Sequence, residues 1–264
     1  MAENPAPRPA ATVLTLREGE GGFEVLMLRR NLKSDFVGGA YVFPGGSVDP
    51  SDVSREVPSL VLGLSDEEAS ARLAIASGGL SYFVAGLREL FEEAGLLVAC
   101  DVHGRQVRLN DPERAARLSQ HRTQLNEHRG NFLQMLIDEE LVLDLRSVAY
   151  LSHWVTPEGP PRRFDTRFFV THAPPGQIAA HDEGETVDTR WVRPLDALAA
   201  HERGELMMIF PTIRTLERIS SFATVLEVLA HASDQDTIER IEPRLVVRDG
   251  APVPVLPGEE GYED

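Results

Sequence analysis

Three carboxylates crowd the end of one amphipathic helix. From Ser81 the apolar residues Phe83, Val84, Leu87, Leu90, Phe91 and Ala94 recur at helical spacing, and Gly95 supplies a stop. The segment therefore reads as a helix ending at Gly95. At about 100° per residue, Glu89 lies beside Glu92 and Glu93, on the edge opposite the apolar stripe. Glu92 and Glu93 fall in the last turn, at the negative end of the helix dipole, where an acidic side chain costs about 0.3–1 kcal/mol.

An edge chosen only for solubility puts Lys or Arg there. A bound divalent cation removes the conflict, because hard oxygen ligands on one helical face suit Mg2+ or Mn2+, with water and phosphate completing the shell. The competing reading is a solvated acidic face with an ordinary Arg88 to Glu92 pair, and for an isolated Glu-Glu dipeptide that reading prevails. The surrounding residues decide otherwise.

Arg88-Glu89-Leu90-Phe91-Glu92-Glu93-Ala94-Gly95-Leu96, preceded by Phe43-Pro44-Gly45-Gly46, resembles the signature of the Nudix hydrolase superfamily, G-x5-E-x7-R-E-U-x-E-E-x-G-U with U aliphatic. Gly46 takes the place of the motif glycine. Two departures stand out: Asp52 occupies the first acidic position, with a shorter reach, and an insertion at about residues 53–80 parts the two halves of the box. Within it, Ser65 and Glu68 form a capping-box pattern ahead of Ala69, Leu73 and Ile75, so part of it is expected to be helical. An interrupted box is similar to that of the coenzyme A diphosphatase subgroup. Lys33-Ser34-Asp35-Phe36, Trp154-Val155-Thr156-Pro157 and Arg163-Phe164-Asp165-Thr166-Arg167 extend the likeness.

The resemblance implies an α/β fold, the Nudix α/β/α sandwich with a mixed β-sheet, here with helical insertions at about 53–80 and 111–143. One Nudix domain is expected over residues 11–232, after a disordered lead-in at 1–10 and before a C-terminal extension at 233–264. It also implies the site. The Gly45 carbonyl, Glu89, Glu92, Glu93 and an acidic residue ahead of the Trp191-Val192 strand would hold the metal, with Glu185 the first choice and Glu183 the second. Glu89 or Glu185 would act as base, and Arg88 would fix the acidic cluster.

A formal charge of −16 argues against nucleic acid or an anionic membrane surface as partners, since both reward basic stripes. A small phosphate compound is still admissible through bound metal and local cations. Arg29, Arg30, Lys33, Arg162, Arg163 and Arg167 cluster in the sequence, and of these Arg30, Lys33, Arg163 and Arg167 are the chosen substrate contacts. The lone Cys100 excludes an internal disulfide framework and fits a reducing cytoplasm. No signal-type apolar stretch opens the chain, and Gly-Tyr-Glu-Asp at its end is not a peroxisomal address.

Elsewhere, Thr12 to Leu16 and Phe23 to Arg29 read as a hairpin, Gly39 to Phe43 as a short strand, and Val148 to Val155 and Phe164 to Thr171 as strands. In the last of these Asp165 and Arg167 share a face, compatible equally with an ion pair or with substrate contact. Residues 111–143 carry helical periodicity and suit a cap or the surface of a homodimer. A single final helix is expected over Pro211 to His231.

The expected reaction is metal-dependent hydrolysis of a nucleoside diphosphate derivative, with coenzyme A or acyl-CoA the first choice. ADP-ribose, NADH and dinucleotides are the alternatives, and a non-catalytic nucleotide sensor is the rival of a different class.

Overall fold

A computed structural model describes residues 5–32, 37–182, 184–248 and 250–262. In chain order the elements are β1 (Arg8–Gly19), β2 (Gly22–Arg30), β3 (Tyr41–Val42), β4 (Gly45–Ser47), β5 (Val61–Leu62), α1 (Asp66–Arg72), α2 (Gly79–Ala94), β6 (Ala99–Asp101), α3 (Pro112–Asn126) and α4 (Phe132–Asp138). They continue with β7 (Leu141–Asp144), β8 (Val148–Val155), β9 (Phe164–His172), β10 (Thr186–Val192), α5 (Pro194–Glu202), α6 (Phe210–Ile219), α7 (Val225–Ser233), β11 (Arg240–Ile241), β12 (Arg244–Arg248) and β13 (Ala251–Val255).

The main sheet runs β10-β2-β1-β9-β8-β11, and it is mixed: β1 pairs parallel with β9, while β1 with β2 and β8 with β9 are antiparallel. Period-two alternation gives each strand two apolar faces. On one side Ala11, Val13, Leu26, Leu28 and Phe169 pack with α2. On the other, Leu14, Val25, Met27, Phe168 and Val170 pack with residues of α5, α6 and α7. The result is the expected helix–sheet–helix sandwich.

β1 is shared between partners. Its C-terminal half, from Leu16, pairs with β2, while Ala10, Ala11 and Thr12 pair with β4, so the sheet forks where the Pro44-Gly45-Gly46 turn enters. Gly45 and Gly46 are needed for that entry. A Cβ on Gly45 would stand 2.5 Å from the Ala11 carbonyl oxygen, and one on Gly46 would stand 2.3 Å from Glu89 Oε1.

The two insertions meet in a small second sheet of order β5-β7-β6. Ser65 caps α1 reciprocally with Glu68, as the capping pattern anticipates. Asp66 then accepts the N–H groups of Gly78 and Leu80 at 3.0 Å each, so the inserted segment caps the start of α2.

Several expectations need correction. Residues Arg8 to Ala10 are not lead-in but the first part of β1, held against β9 and β4. Residues 111–143 are two helices, and the end of the segment is strand β7. Their apolar side chains, such as Leu118, Phe132 and Leu136, belong to the chain's own core. The single helix over Pro211 to His231 is broken after Ile219, and Thr224 starts a new helix by accepting the Glu227 N–H at 3.2 Å. Among the described residues no helix is long and apolar enough to cross a membrane.

Candidate active site

The acidic edge of α2 does not face open water. Thirteen of its residues are buried, Glu93 is only 4% exposed, and Arg88 is equally covered. Its carboxylates are pressed against β4 and the turn after it, and the apolar stripe faces the sheet.

Arg88 organises this edge. Its Nε donates to Asp52 Oδ1 and its Nη2 to Asp52 Oδ2, both at 3.0 Å, a bidentate pair with a carboxylate that is 1% exposed. The same Nη2 reaches the Ser47 carbonyl at 3.0 Å, and Nη1 donates to Glu89 Oε1 at 2.9 Å and Glu92 Oε2 at 3.3 Å. Burial opposes the guanidinium charge, but the bonds to Asp52 and the nearby Glu89 hold its pKa above the usual arginine value. The shorter Asp52 is therefore half of a buried ion pair that spans the insertion and closes it.

Glu93 takes a different partner. Val13 N–H already bonds the Pro44 carbonyl, so alternation turns the Gly45 peptide groups away from β1, and Gly45 N–H donates to Glu93 Oε2 at 3.0 Å. Burial pushes the Glu93 carboxyl well above the ordinary carboxylate range, and the charges of Glu89 and Glu185 push the same way. Glu89 is raised to about 7, by burial first, with Arg88 opposing and Glu92 adding. Glu92 is also raised by burial, against the pull of Arg88. Glu185 stands at the end of the loop before β10, more than half exposed, and accepts from Arg30 Nη2 at 2.9 Å.

Among the described residues no three of these carboxylates converge as metal ligands do. Glu89 and Glu92 each reach Arg88, Glu93 holds the Gly45 amide, and Glu185 pairs with Arg30. The donor chemistry nevertheless fits a hard divalent cation: buried carboxylates with raised pKa values stand next to one another, with too little positive charge between them.

A cavity of about 1460 Å³ opens beside this cluster, and Gly45, Gly46, Glu89, Glu185 and Arg30 are on its wall. The other chosen cations fare differently. Lys33 lies outside the described residues, as does Glu183. Arg163 is buried away from the cavity, bonded to the Thr156 and Pro5 carbonyls and to Glu242. Arg167 faces the α2 side of the sheet, where it donates to Tyr150 Oη at 2.9 Å and contacts His153 Nδ1 at 2.7 Å. Asp165 completes that network through His153 Nε2 at 2.6 Å. Thus Arg163 and Arg167 do not line the cavity, and their charges are spent within the fold.

Sequence reading missed two cations. Arg8 lines the cavity only because the start of β1 lies against β9, a pairing across most of the chain. Arg122 of α3 donates to the Glu92, Glu93 and Ala180 carbonyls at 2.9, 2.8 and 2.7 Å, capping the end of α2 where two glutamates strain the dipole. No local pattern marks Arg122, since its partners are backbone atoms of distant segments.

Residues 65–219 match the family described as the NUDT19 Nudix domain. The chain belongs to the NUDT19-type Nudix hydrolases. It is 26% identical over 274 residues to the acyl-coenzyme A diphosphatase NUDT19 of Xenopus laevis, covering 92% of this chain and 72% of that protein. The Homo sapiens protein of the same name is 24% identical over 275 residues, with coverage of 91% and 72%. A NUDIX hydrolase of known structure from Alicyclobacillus acidocaldarius is 27% identical with a TM-score of 0.67, covering 87% of this chain and 98% of that one. Nudix hydrolases generally use divalent metals, in keeping with the donor chemistry around Glu89 and Glu93.

Raised carboxyl pKa values carry a stability consequence. A group whose folded pKa lies above its unfolded value contributes stability that is complete below the unfolded pKa and is lost as pH rises through the folded one. For Glu89, moved from 4.5 to about 7, the loss is about 3 kcal/mol. The metal-free protein is therefore expected to melt lower at pH 8 than at pH 5. Added Mg2+ should raise the melting temperature strongly at pH 8 and little at pH 5, because binding competes with protons. Calorimetric scans at both pH values check this, and melting that ignores the cation at both would contradict it.

Proposed function

We propose that this Nudix hydrolase cleaves the diphosphate of coenzyme A or an acyl derivative, releasing 4′-phosphopantetheine and adenosine 3′,5′-bisphosphate. The observation that carries the reading is the buried Glu89–Glu93 pair at the Gly45-Gly46 turn, with Glu89 on the wall of a cavity large enough for such a molecule. The relatives' name, acyl-coenzyme A diphosphatase NUDT19, supports the choice of substrate.

Glu89, Glu92 and Glu93, with the Gly45 carbonyl and Glu185, would hold Mg2+ or Mn2+. When bound, the cation neutralises phosphate oxygens and acidifies a water. Arg88 holds Glu89 and Glu92 in place. Arg30, Arg8 and Arg162 on the cavity wall orient the anionic substrate. Glu89 or the more exposed Glu185 accepts the proton of the attacking water.

The catalytic unit extends past the 11–232 domain expected from sequence, since Arg8 and residues of the 233–264 segment share the cavity wall. The buried, unpaired Cys100 is in keeping with a cytoplasmic setting.

The test is a panel of coenzyme A, ADP-ribose, NADH and a diadenosine polyphosphate, each incubated with the protein and Mg2+, with products resolved chromatographically. Fastest turnover is expected for coenzyme A compounds. Intact coenzyme A alongside consumed ADP-ribose would overturn the substrate assignment.

A further inference from the structure

The cavity that reaches Glu89 and Glu185 is also walled by the C-terminal hairpin β12–β13, through Leu245, Pro252 and Pro254. In the hairpin register Leu245 stands opposite Pro254 and Val247 opposite Pro252, and residues paired across an antiparallel ribbon share a face. One face is thus wholly apolar. Leu245 is 42% exposed and Val247 76%, so this face is left open on the side that meets the cavity.

The hairpin's cations serve elsewhere. Arg244 packs over the Tyr262 ring and bonds the Tyr262 carbonyl, and Arg248 donates to the Glu260 carbonyl at 2.8 Å. Aromatic side chains supply the rest of the wall, with Trp154 and Phe210 edge to face at 6.1 Å and Phe168 beneath. Arg30 and Glu185 lie on the β10–β2 side of the sheet and Trp154 on β8, with β1 and β9 between them, so one cavity spans a charged end near Glu89 and an apolar wall at the hairpin, as a ligand with a diphosphate and a long apolar arm requires.

We propose that the Leu245–Val247–Pro252–Pro254 face, with Trp154 and Phe210, is the subsite for the acyl group carried beyond the pantetheine sulfur and sets the preference for acyl chain length. This rests on the coenzyme A reading above.

The experiment measures KM and kcat of the full chain for free coenzyme A and octanoyl-coenzyme A. Both Leu245 and Val247 are solvent-accessible, so Leu245→Ser/Val247→Ser keeps the fold. Expected is a rise of about tenfold in KM for octanoyl-coenzyme A with free coenzyme A unchanged within about twofold, the scale of a few methylenes losing an apolar contact. Val247→Leu, which adds apolar surface, should lower the octanoyl KM and leave the free coenzyme A value alone. Parameters for the two substrates that move together, or that do not move in either variant, would overturn the proposal. Wild-type protein that cleaves neither compound would instead refute the coenzyme A reading on which it stands.

Discussion

Glu93→Gln is expected to lose about 10³-fold in kcat, the scale of several kcal/mol of metal-derived transition-state stabilisation, while the metal-free fold becomes more stable. Both halves follow from one geometry. Glu93 is fully enclosed, receives a single N–H from Gly45 at 3.0 Å, and sits close enough to Glu89 and Glu185 that each raises its pKa. A neutral amide keeps the shape and the Gly45 bond, and it removes the charge that burial penalises. It also removes a negative oxygen from the set that would hold a divalent cation. Activity and stability should therefore move in opposite directions, a trade met where a site is built against the interest of the fold. Turnover assays and melting curves on the same preparations check the pair of effects. Equal activity in wild type and Glu93→Gln would remove Glu93 from the chemistry, and a large fall in melting temperature would make its role structural.

Arg88→Met is expected to cost stability on the order of 3–5 kcal/mol, the usual result of stripping one partner from a buried ion pair. The carboxylate left behind, Asp52, is 1% exposed and would keep the Asp49 N–H at 2.8 Å. Urea unfolding should show this as a fall in midpoint with little change in slope. Because Arg88 also holds Glu89 and Glu92 at 2.9 and 3.3 Å, stability and turnover should separate. Adding Asp52→Leu to Arg88→Met should recover most of the lost stability without recovering turnover, since the unpaired charge is gone but the glutamates stay unrestrained. A single Arg88→Met variant as stable as wild type would show that the pair is not what joins the two halves of the interrupted box.

The central helix was legible because its evidence is local. Apolar spacing from Phe83 to Ala94 and the stop at Gly95 appear as α2 with Gly95 in the left-handed conformation. The Ser65–Glu68 pattern is likewise a local signal, and it forms the cap it announces. Alternation along β9 correctly separated Phe164, Thr166 and Phe168 from Asp165 and Arg167. Alternation cannot say which face meets the cavity. That depends on which elements cover the sheet, and Arg167 went to the α2 side to join His153 and Tyr150. Arg163 was misplaced for the same reason, its partners Pro5 and Glu242 being remote in sequence.

What stayed hidden depends on long-range pairing. Arg8 joins the cavity through the parallel ladder with β9, and Arg122 reaches three carbonyls contributed by other segments. The hairpin after Arg244 reads in sequence as a proline-containing tail, and only its docking reveals an apolar face. The break between α6 and α7 is different, because Thr224 and Glu227 already carried a helix-start signal that the longer apolar periodicity masked.

Two separated stretches of chain meet in the fold, the Gly45-Gly46 turn and the acidic end of α2, and together they are proposed to hold a divalent cation. The most direct test is a Mn2+ titration followed by electron paramagnetic resonance at about pH 8, comparing wild type with Glu93→Gln. Saturable loss of the free Mn2+ signal in wild type, absent or much weakened in the variant, is the expected result. Identical binding curves for the two proteins, or no binding by either, would contradict it.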